Sequence, residues 1–256
     1  MKAVIVGASS GIGRDIARAL SNSGCELILV ARRENRLEEL KAELDTHIEI
    51  ITADISVPDA CIDLHEKIKS QNVDMLINNA AIGIFGEFDK TDLESELNLI
   101  DTNIKATHIL TKLFLKDFVA RDYGYILNVS SASSFVPGPR MASYYASKAY
   151  IMRLTLAVYE ELRRKGSNVR ISVLCPGPTY TEFDMKAGST FNLPYSSSER
   201  IAESSVINLK KMKMMIIPEG LIKAAKFATR LLSDKLILKI SYSLIRPNEN
   251  ADYNDL

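Results

Sequence analysis

The stretch "VIVGASSGIGRDIARAL", residues 4–20, runs from an apolar, β-branched segment through Gly7, Gly11 and Gly13 into a sequence of helical period. Glycine costs a helix roughly 1 kcal/mol relative to alanine, so a cluster of them at a helix start requires a backbone reason. Gly7 permits a tight exit from the strand, Gly11 lets the main chain approach a phosphate with no Cβ in the way, and Gly13 lets helix and strand pack closely. The helix N-terminus then offers amide donors and the positive end of its dipole to an anion. Residues 7 to 13, with Ser9, Ser10 and Ile12 between the glycines, therefore read as a pyrophosphate cradle. A merely tight turn is the competing reading, and the rest of the chain has to decide between them.

Outward from this stretch, short β-branched runs alternate with longer helical segments. The runs are "KAVIV" (2–6), "ELILVA" (26–31), "IEIIT" (48–52), "DMLIN" (74–78), "YILNVS" (125–130) and "VRISVL" (169–174), with "MMIIP" (214–218) as a last strand. Strand and helix in alternation predict an α/β fold, a doubly wound parallel sheet covered by helices on both faces. No linker, repeat or low-complexity tract divides the chain, so we expect one domain over 1–256. Residues 183–212, rich in serine, methionine and lysine, are expected to form a substrate-binding insertion over the sheet edge.

Composition excludes several classes. The 32 basic and 32 acidic side chains cancel, so no net field draws the chain to nucleic acid, and none is expected as a partner. Cys25, Cys61 and Cys175 suit neither a disulfide framework nor metal-ligand spacing, and "HEKIK" (65–69) has Lys69 where a second histidine ligand is needed. We expect no metal, reduced thiols and a cytoplasmic location. The four-residue apolar run at the N-terminus is too short for the core of a signal peptide. Lys235 and Lys239 interrupt the most apolar C-terminal segment, so no membrane span is expected, although 231–245 is left open between the domain, a partner subunit and a membrane surface. His47, His65 and His108 are isolated and read as surface or satisfied packing.

Three constellations carry chemistry. At the end of the second strand, where an acid would select an unphosphorylated ribose, the text is "LVARRENR", with Arg32 and Arg33 suited to a 2′-phosphate. Two solvated arginines opening a helix are the bland alternative. In "SYYASKAY" (143–150), Tyr144 and Lys148 are four apart and share a helical face. A nearby ammonium stabilises a phenolate, which makes proton exchange with a carbonyl or alcohol oxygen feasible. Ser131, thirteen residues before Tyr144, lies in "NVSSASS" at the strand end where ligands bind in such sheets, and its hydroxyl can donate to a substrate oxygen.

In order and spacing these residues resemble the short-chain dehydrogenases/reductases, from residue 2 to about 182. The likeness rests on "GASSGIG", "AD" (53–54), "NNAA" (78–81), Asn103 in "DTNIKAT", Ser131, "YYASK" and "PGPTYTEF" (176–183). It implies a Rossmann fold with seven strands in the order 3-2-1-4-5-6-7. It further implies Tyr144 as general acid/base, Lys148 lowering its pKa and holding the nicotinamide ribose, Ser131 orienting the carbonyl, and Asn103 holding a water in a proton relay. Asp54 would meet the adenine and Asn79 and Ala80 the cofactor's central region. The turn Pro176, Gly177, Thr179 and Thr181 would hold the nicotinamide amide through one of its threonines. Val6 and Ala81 depart from the family's usual threonine and glycine, at positions that do no chemistry.

The expectation is an enzyme that uses NADP(H) in preference to NAD(H) to interconvert an apolar ketone or aldehyde and an alcohol. A non-catalytic NADP(H)-binding regulatory or scaffold protein is the alternative, and an epimerase or dehydratase on the same fold a third reading. Leu113, Phe114, Phe118, Leu154, Leu156 and Val158 cannot all face one way on their two helices, so a homo-oligomer is expected, and the family resemblance implies a homodimer or homotetramer.

Overall fold

Strand alternation builds two cores on opposite faces of one sheet. The computed structural model describes residues 1–211 and 213–248; Met212 and 249–256, which fall within the expected insertion and domain bounds, lie outside the described residues. Strands β1 (Lys2–Val6), β2 (Glu26–Ala31), β3 (Ile48–Thr52), β4 (Met75–Asn78), β5 (Tyr125–Val129), β6 (Arg170–Leu174) and β7 (Met215–Ile216) pair in parallel in the order 3-2-1-4-5-6-7. Successive side chains point to opposite faces. Ala3, Ile5, Leu27 and Leu29 therefore join one core, and Val4, Val6, Ile28 and Val30 the other. Burial on both faces is why these strands read as continuous apolar runs.

Helices α1 (Gly11–Ser21) and α2 (Glu34–Ala42) cover the first face with Ile16, Ala17, Leu20, Leu37 and Leu40. The second is covered by α3 (Pro58–Ile68), by the long rod that begins as α4 (Leu93–Ile100) and continues as α5 (Thr107–Ala120), and by α6 (Ala142–Arg164). Between α4 and α5 the rod passes through a π turn, Asp101–Ala106, which contains Asn103.

The expected insertion divides in two. Its first part, with α7 (Phe183–Ala187) and the short strands Ser189–Phe191 and Ser196–Ser197, lies over the carboxyl edge of the sheet. Its second part is α8 (Ser198–Lys210), which buries Ile201, Ala202, Val206 and Leu209 against α1. These four follow helical spacing, so α8 packs as a core helix, and of the expected substrate-binding insertion at 183–212 only the part before α8 lies over the sheet edge. The chain then forms α9 (Gly220–Ala228) and α10 (Asp234–Leu244), and its strand Ile245–Pro247 pairs antiparallel with Ser189–Phe191.

The apolar surplus on α5 and α6 is smaller than the sequence suggested. Phe114 and Phe118 face the sheet and are fully buried, and Val158 and Leu156 pack partly against the cores. Among the described residues no helix is long and apolar enough to cross a membrane.

Candidate active site

The phosphate turn is tight for the reasons its glycines imply. Gly7 has φ +84°, and a Cβ there would lie 2.6 Å from the Ala80 nitrogen. A Cβ at Gly13 would lie 2.2 Å from the Gly7 carbonyl oxygen and 2.4 Å from Asn79 Nδ2. Helix and strand are thus in backbone contact where α1 begins. Asn79 holds this contact, its Nδ2 donating to the Gly7 carbonyl at 2.9 Å, while the amides of Asn79 and Ala80 both donate to Val6 at 3.0 Å.

The two arginines after β2 separate. Arg32 is exposed and makes no ion pair among the described residues. Arg33 turns back across the cleft, where its Nη2 donates to the hydroxyls of Ser9 and Ser10 at 3.2 and 3.1 Å and its Nη1 to Glu182 at 2.8 Å. Glu182 lies 149 residues away in sequence, so no local signal could have announced it. Asp54 accepts from the amide and hydroxyl of Ser56 at 3.0 and 2.8 Å.

At the other end of the cleft, Ser131 caps the 3-10 turn Ala132–Phe135, its hydroxyl oxygen accepting from the Ser133 amide at 3.1 Å. That bond uses a lone pair and leaves the hydroxyl hydrogen to donate elsewhere. Tyr144 and Lys148 stand one turn apart on α6, both buried, with the Lys148 Nζ 5.8 Å from the Tyr144 ring centre. Lys148 Nζ donates to the Val129 carbonyl at 3.0 Å. The Phe183 ring packs on Tyr144 with centres 5.0 Å apart.

A buried polar cluster fixes α6 in depth. Asn78 and Asn128 are register partners on β4 and β5; the Asn78 amide donates to Asn128 at 2.9 Å, and Asn128 in turn donates to Thr155 of α6 at 3.0 Å. Asn103 braces the same helix. Its Nδ2 donates to Ser147 at 3.0 Å and to the Ile82 carbonyl at 2.9 Å, while its Oδ1 accepts from the Ile82 amide at 2.9 Å. The side chain is thus occupied in joining the π turn, the loop after β4 and α6.

Electrostatics at Tyr144 run against the expectation that Lys148 sets a low tyrosine pKa. Burial pushes the phenol up to about 12, the hydroxyls of Ser131 and Ser133 pull it back, and Asp184 raises it. Burial also pushes the Lys148 ammonium down to about 8. Desolvation disfavours both charged forms, so in the protein itself the pair rests as neutral phenol beside a weakened ammonium.

One cleft of about 860 Å³ joins these parts. Of the expected cofactor residues, Gly7, Ser9, Ser10, Gly11, Ile12, Arg32, Arg33, Asp54, Asn79, Ala80, Pro176, Gly177, Thr179 and Thr181 line it, as do Ser131, Tyr144 and Lys148. Gly13 and Asn103 stand behind the wall as supports. The Thr179 hydroxyl donates to the Gly177 carbonyl at 2.9 Å, and the Thr181 hydroxyl accepts from the Phe183 amide at 3.2 Å. Sequence reading missed the wall that α10 supplies: Ile237, Ser241 and Leu244 face the cleft. Their spacing of four and three was the available signal. Among the described residues no group of three His, Cys, Asp or Glu could hold a metal ion.

A parallel sheet with a glycine-rich turn at one end of its carboxyl-edge cleft and a serine, tyrosine and lysine at the other defines an oxidoreductase class. The chain belongs to the short-chain dehydrogenase family, whose profile matches residues 1–191. It is 33% identical over 191 residues to an uncharacterized oxidoreductase of Staphylococcus epidermidis, covering 74% of this chain and 81% of that one. It is 31% identical over 182 residues to a 7beta-hydroxysteroid dehydrogenase of Mediterraneibacter gnavus, covering 70% and 68%. Among solved structures, a short-chain dehydrogenase from Sphingobium yanoikuyae in complex with NADPH superposes with a TM-score of 0.81 at 28% identity, over 90% of this chain and 92% of that one.

Proposed function

We propose that the protein reduces a ketone or aldehyde to an alcohol, reversibly, with NADP(H) in preference to NAD(H). The observation that carries the reading is the single cleft that holds the Gly7 to Gly13 turn at one end and Ser131, Tyr144 and Lys148 at the other. The residues present fit a dinucleotide: the cradle has no room for a Cβ, and Arg32 and Arg33 stand at the cleft wall beside Ser9 and Ser10.

In this reading the turn and the α1 N-terminus hold the pyrophosphate. Arg32, exposed at the cleft wall, and Arg33 hold the 2′-phosphate, Asp54 borders the adenine, and Lys148 holds the nicotinamide ribose. When bound, the nicotinamide supplies hydride to the carbonyl carbon or accepts it from the carbinol. Ser131 donates to the substrate oxygen, with its acceptor lone pair already committed to the Ser133 amide. Tyr144, held protonated by burial, donates the proton that completes the alcohol. Lys148 and water at the π turn restore it. Because the Asn103 amide is occupied, that water would meet the main chain of the turn, and Asn103 acts by positioning it.

Phe183, Phe191, Leu193 and the inner side of α10 line the substrate end of the cleft, which favours an apolar carbonyl compound. A cytoplasmic homodimer or homotetramer completes the reading, with light scattering as its check. A panel of ketones and aldehydes assayed for NADPH consumption tests the function: turnover lost in Tyr144→Phe supports it, whereas tight NADPH binding without turnover of any carbonyl would give first place to a regulatory role.

A further inference from the structure

Helices α9 and α10 cover the substrate end of the cleft, and their outer surface carries many exposed apolar side chains. Leu221, Phe227, Leu231, Leu236 and Leu238 are all exposed and do not line the cleft, with Phe227 at 65% and Leu231 at 74%. Eight of the exposed large apolar side chains fall between residues 221 and 242, and apolar surface grouped in this way marks a contact. Between residues 220 and 248 the chain also carries six basic residues against one acid, Asp234, a net of +5 in a protein whose total is zero. On α9 the exposed Phe227 stands about 140° round the helix from the buried Ile222 and one turn from Lys223, and the exposed Arg230 and Leu231 follow just beyond the helix end. On α10, Lys235 and Lys239 occupy the side opposite Ile237 and Ser241, with Leu236 and Leu238 flanking them. Apolar side chains bordered by lysine and arginine are the pattern of helices that lie in a bilayer interface, with the charged heads reaching the headgroups.

We propose that this α9–α10 face docks on an anionic lipid surface. A second copy of the chain fits less well, because a two-fold contact would set the exposed Lys223, Arg230, Lys235 and Lys239 of one face, offset only by Asp234, against the same set on another. An anionic leaflet supplies the opposite charge and accepts the leucines. The geometry also gives the contact a use. Leu232 and Ile240 are exposed and line the cleft as well, so the mouth of the cleft opens within the docking face. An apolar substrate would pass between bilayer and cleft without crossing bulk water. The docking itself does not depend on the proposed reaction.

The test is sedimentation of the full-length protein with vesicles of phosphatidylcholine alone and of phosphatidylcholine with a third phosphatidylserine. We expect sedimentation with the anionic vesicles only, weakening as salt rises. Each basic residue at such a surface is worth roughly fivefold in affinity, so Lys235→Gln with Lys239→Gln should weaken binding about 25-fold. Phe227→Ser with Leu231→Ser should weaken it at least about tenfold. Unchanged melting temperature and NADPH affinity in both variants establish that only the surface has altered. No sedimentation with anionic vesicles, or equal sedimentation of wild type and both variants, overturns the proposal. So does a dimer in light scattering that Phe227→Ser with Leu231→Ser dissociates in a protein that binds no vesicles, since the face then belongs to a second copy.

Discussion

Replacing Lys148 with methionine should abolish turnover and leave the fold at least as stable as before at neutral pH. The side chain is buried, and burial pushes its ammonium from 10.5 down to about 8. A tenfold change in proton affinity corresponds to about 1.4 kcal/mol, so the folded protein carries a desolvation cost of about 3 kcal/mol on this residue below pH 8. Methionine fills a similar volume without a charge. It also removes the 3.0 Å donation to the Val129 carbonyl, and a buried acceptor left unpaired costs about 1–3 kcal/mol. The second effect does not depend on pH and the first does. With the folded pKa depressed, the unfolded chain binds more protons between pH 8 and 10.5, so the wild type gains stability as pH rises through that window. The variant has no such gain. Urea unfolding of both proteins without cofactor should therefore show the variant's relative stability falling by about 3 kcal/mol between pH 7 and pH 10.5. The Tyr144 phenol is present in both and cancels in the difference. A stability difference that is flat across this range would refute the view that Lys148 is a buried, destabilising cation retained for the reaction.

Other consequences can be checked separately. Tyr144→Phe keeps ring packing against Phe183 and should lower turnover about 10²- to 10⁴-fold with little change in NADPH affinity by fluorescence titration. Because burial holds Tyr144 protonated, carbonyl reduction should fall, and alcohol oxidation rise, as pH increases toward its pKa; pH profiles of kcat/KM in the two directions should slope oppositely. Gly13→Ala sets a Cβ 2.2 Å from the Gly7 carbonyl oxygen, and loss of NADPH binding in calorimetry, with a lowered melting temperature, is expected. Arg32→Ala should weaken NADPH roughly tenfold and NADH little, whereas Glu182→Gln, which frees Arg33 from its ion pair, should alter the dissociation rate of NADPH in stopped flow.

What the sequence made legible follows from the range of the forces involved. The sheet could be read because its side-chain alternation and β-branched runs are local. "KAVIV", "ELILVA" and "IEIIT" end where the observed strands end, and Asp74 and Pro218 mark the kind of boundary where pairing rather than composition decides. The glycine turn was legible for the same reason, since its constraints act within residues 7 to 13 and on the neighbouring β4 loop. Helix α8 was not. Its serines and lysines make it look like a surface segment, and only the stripe Ile201, Ala202, Val206 and Leu209, once placed against α1, shows that it closes a core. The same holds for Phe114 and Phe118, whose burial depends on how far α5 is rotated over the sheet.

At the site, which residues would share one cleft was legible, and which partners each would find there was not. Ser131, Tyr144 and Lys148 could be picked out by type and spacing, but whether a lysine lowers a tyrosine's pKa depends on solvent as well as on charge. Burial acts on both side chains at once, pushing the phenol up and the ammonium down in the protein itself. Arg32 and Arg33 are adjacent in sequence and equal in charge, and only the third dimension separates them, one exposed and one tied to Ser9, Ser10 and Glu182. Asn103 shows the same limit. Its amide can make only a few hydrogen bonds, and here they join the π turn to Ile82 and to Ser147 of α6, the helix that carries Tyr144.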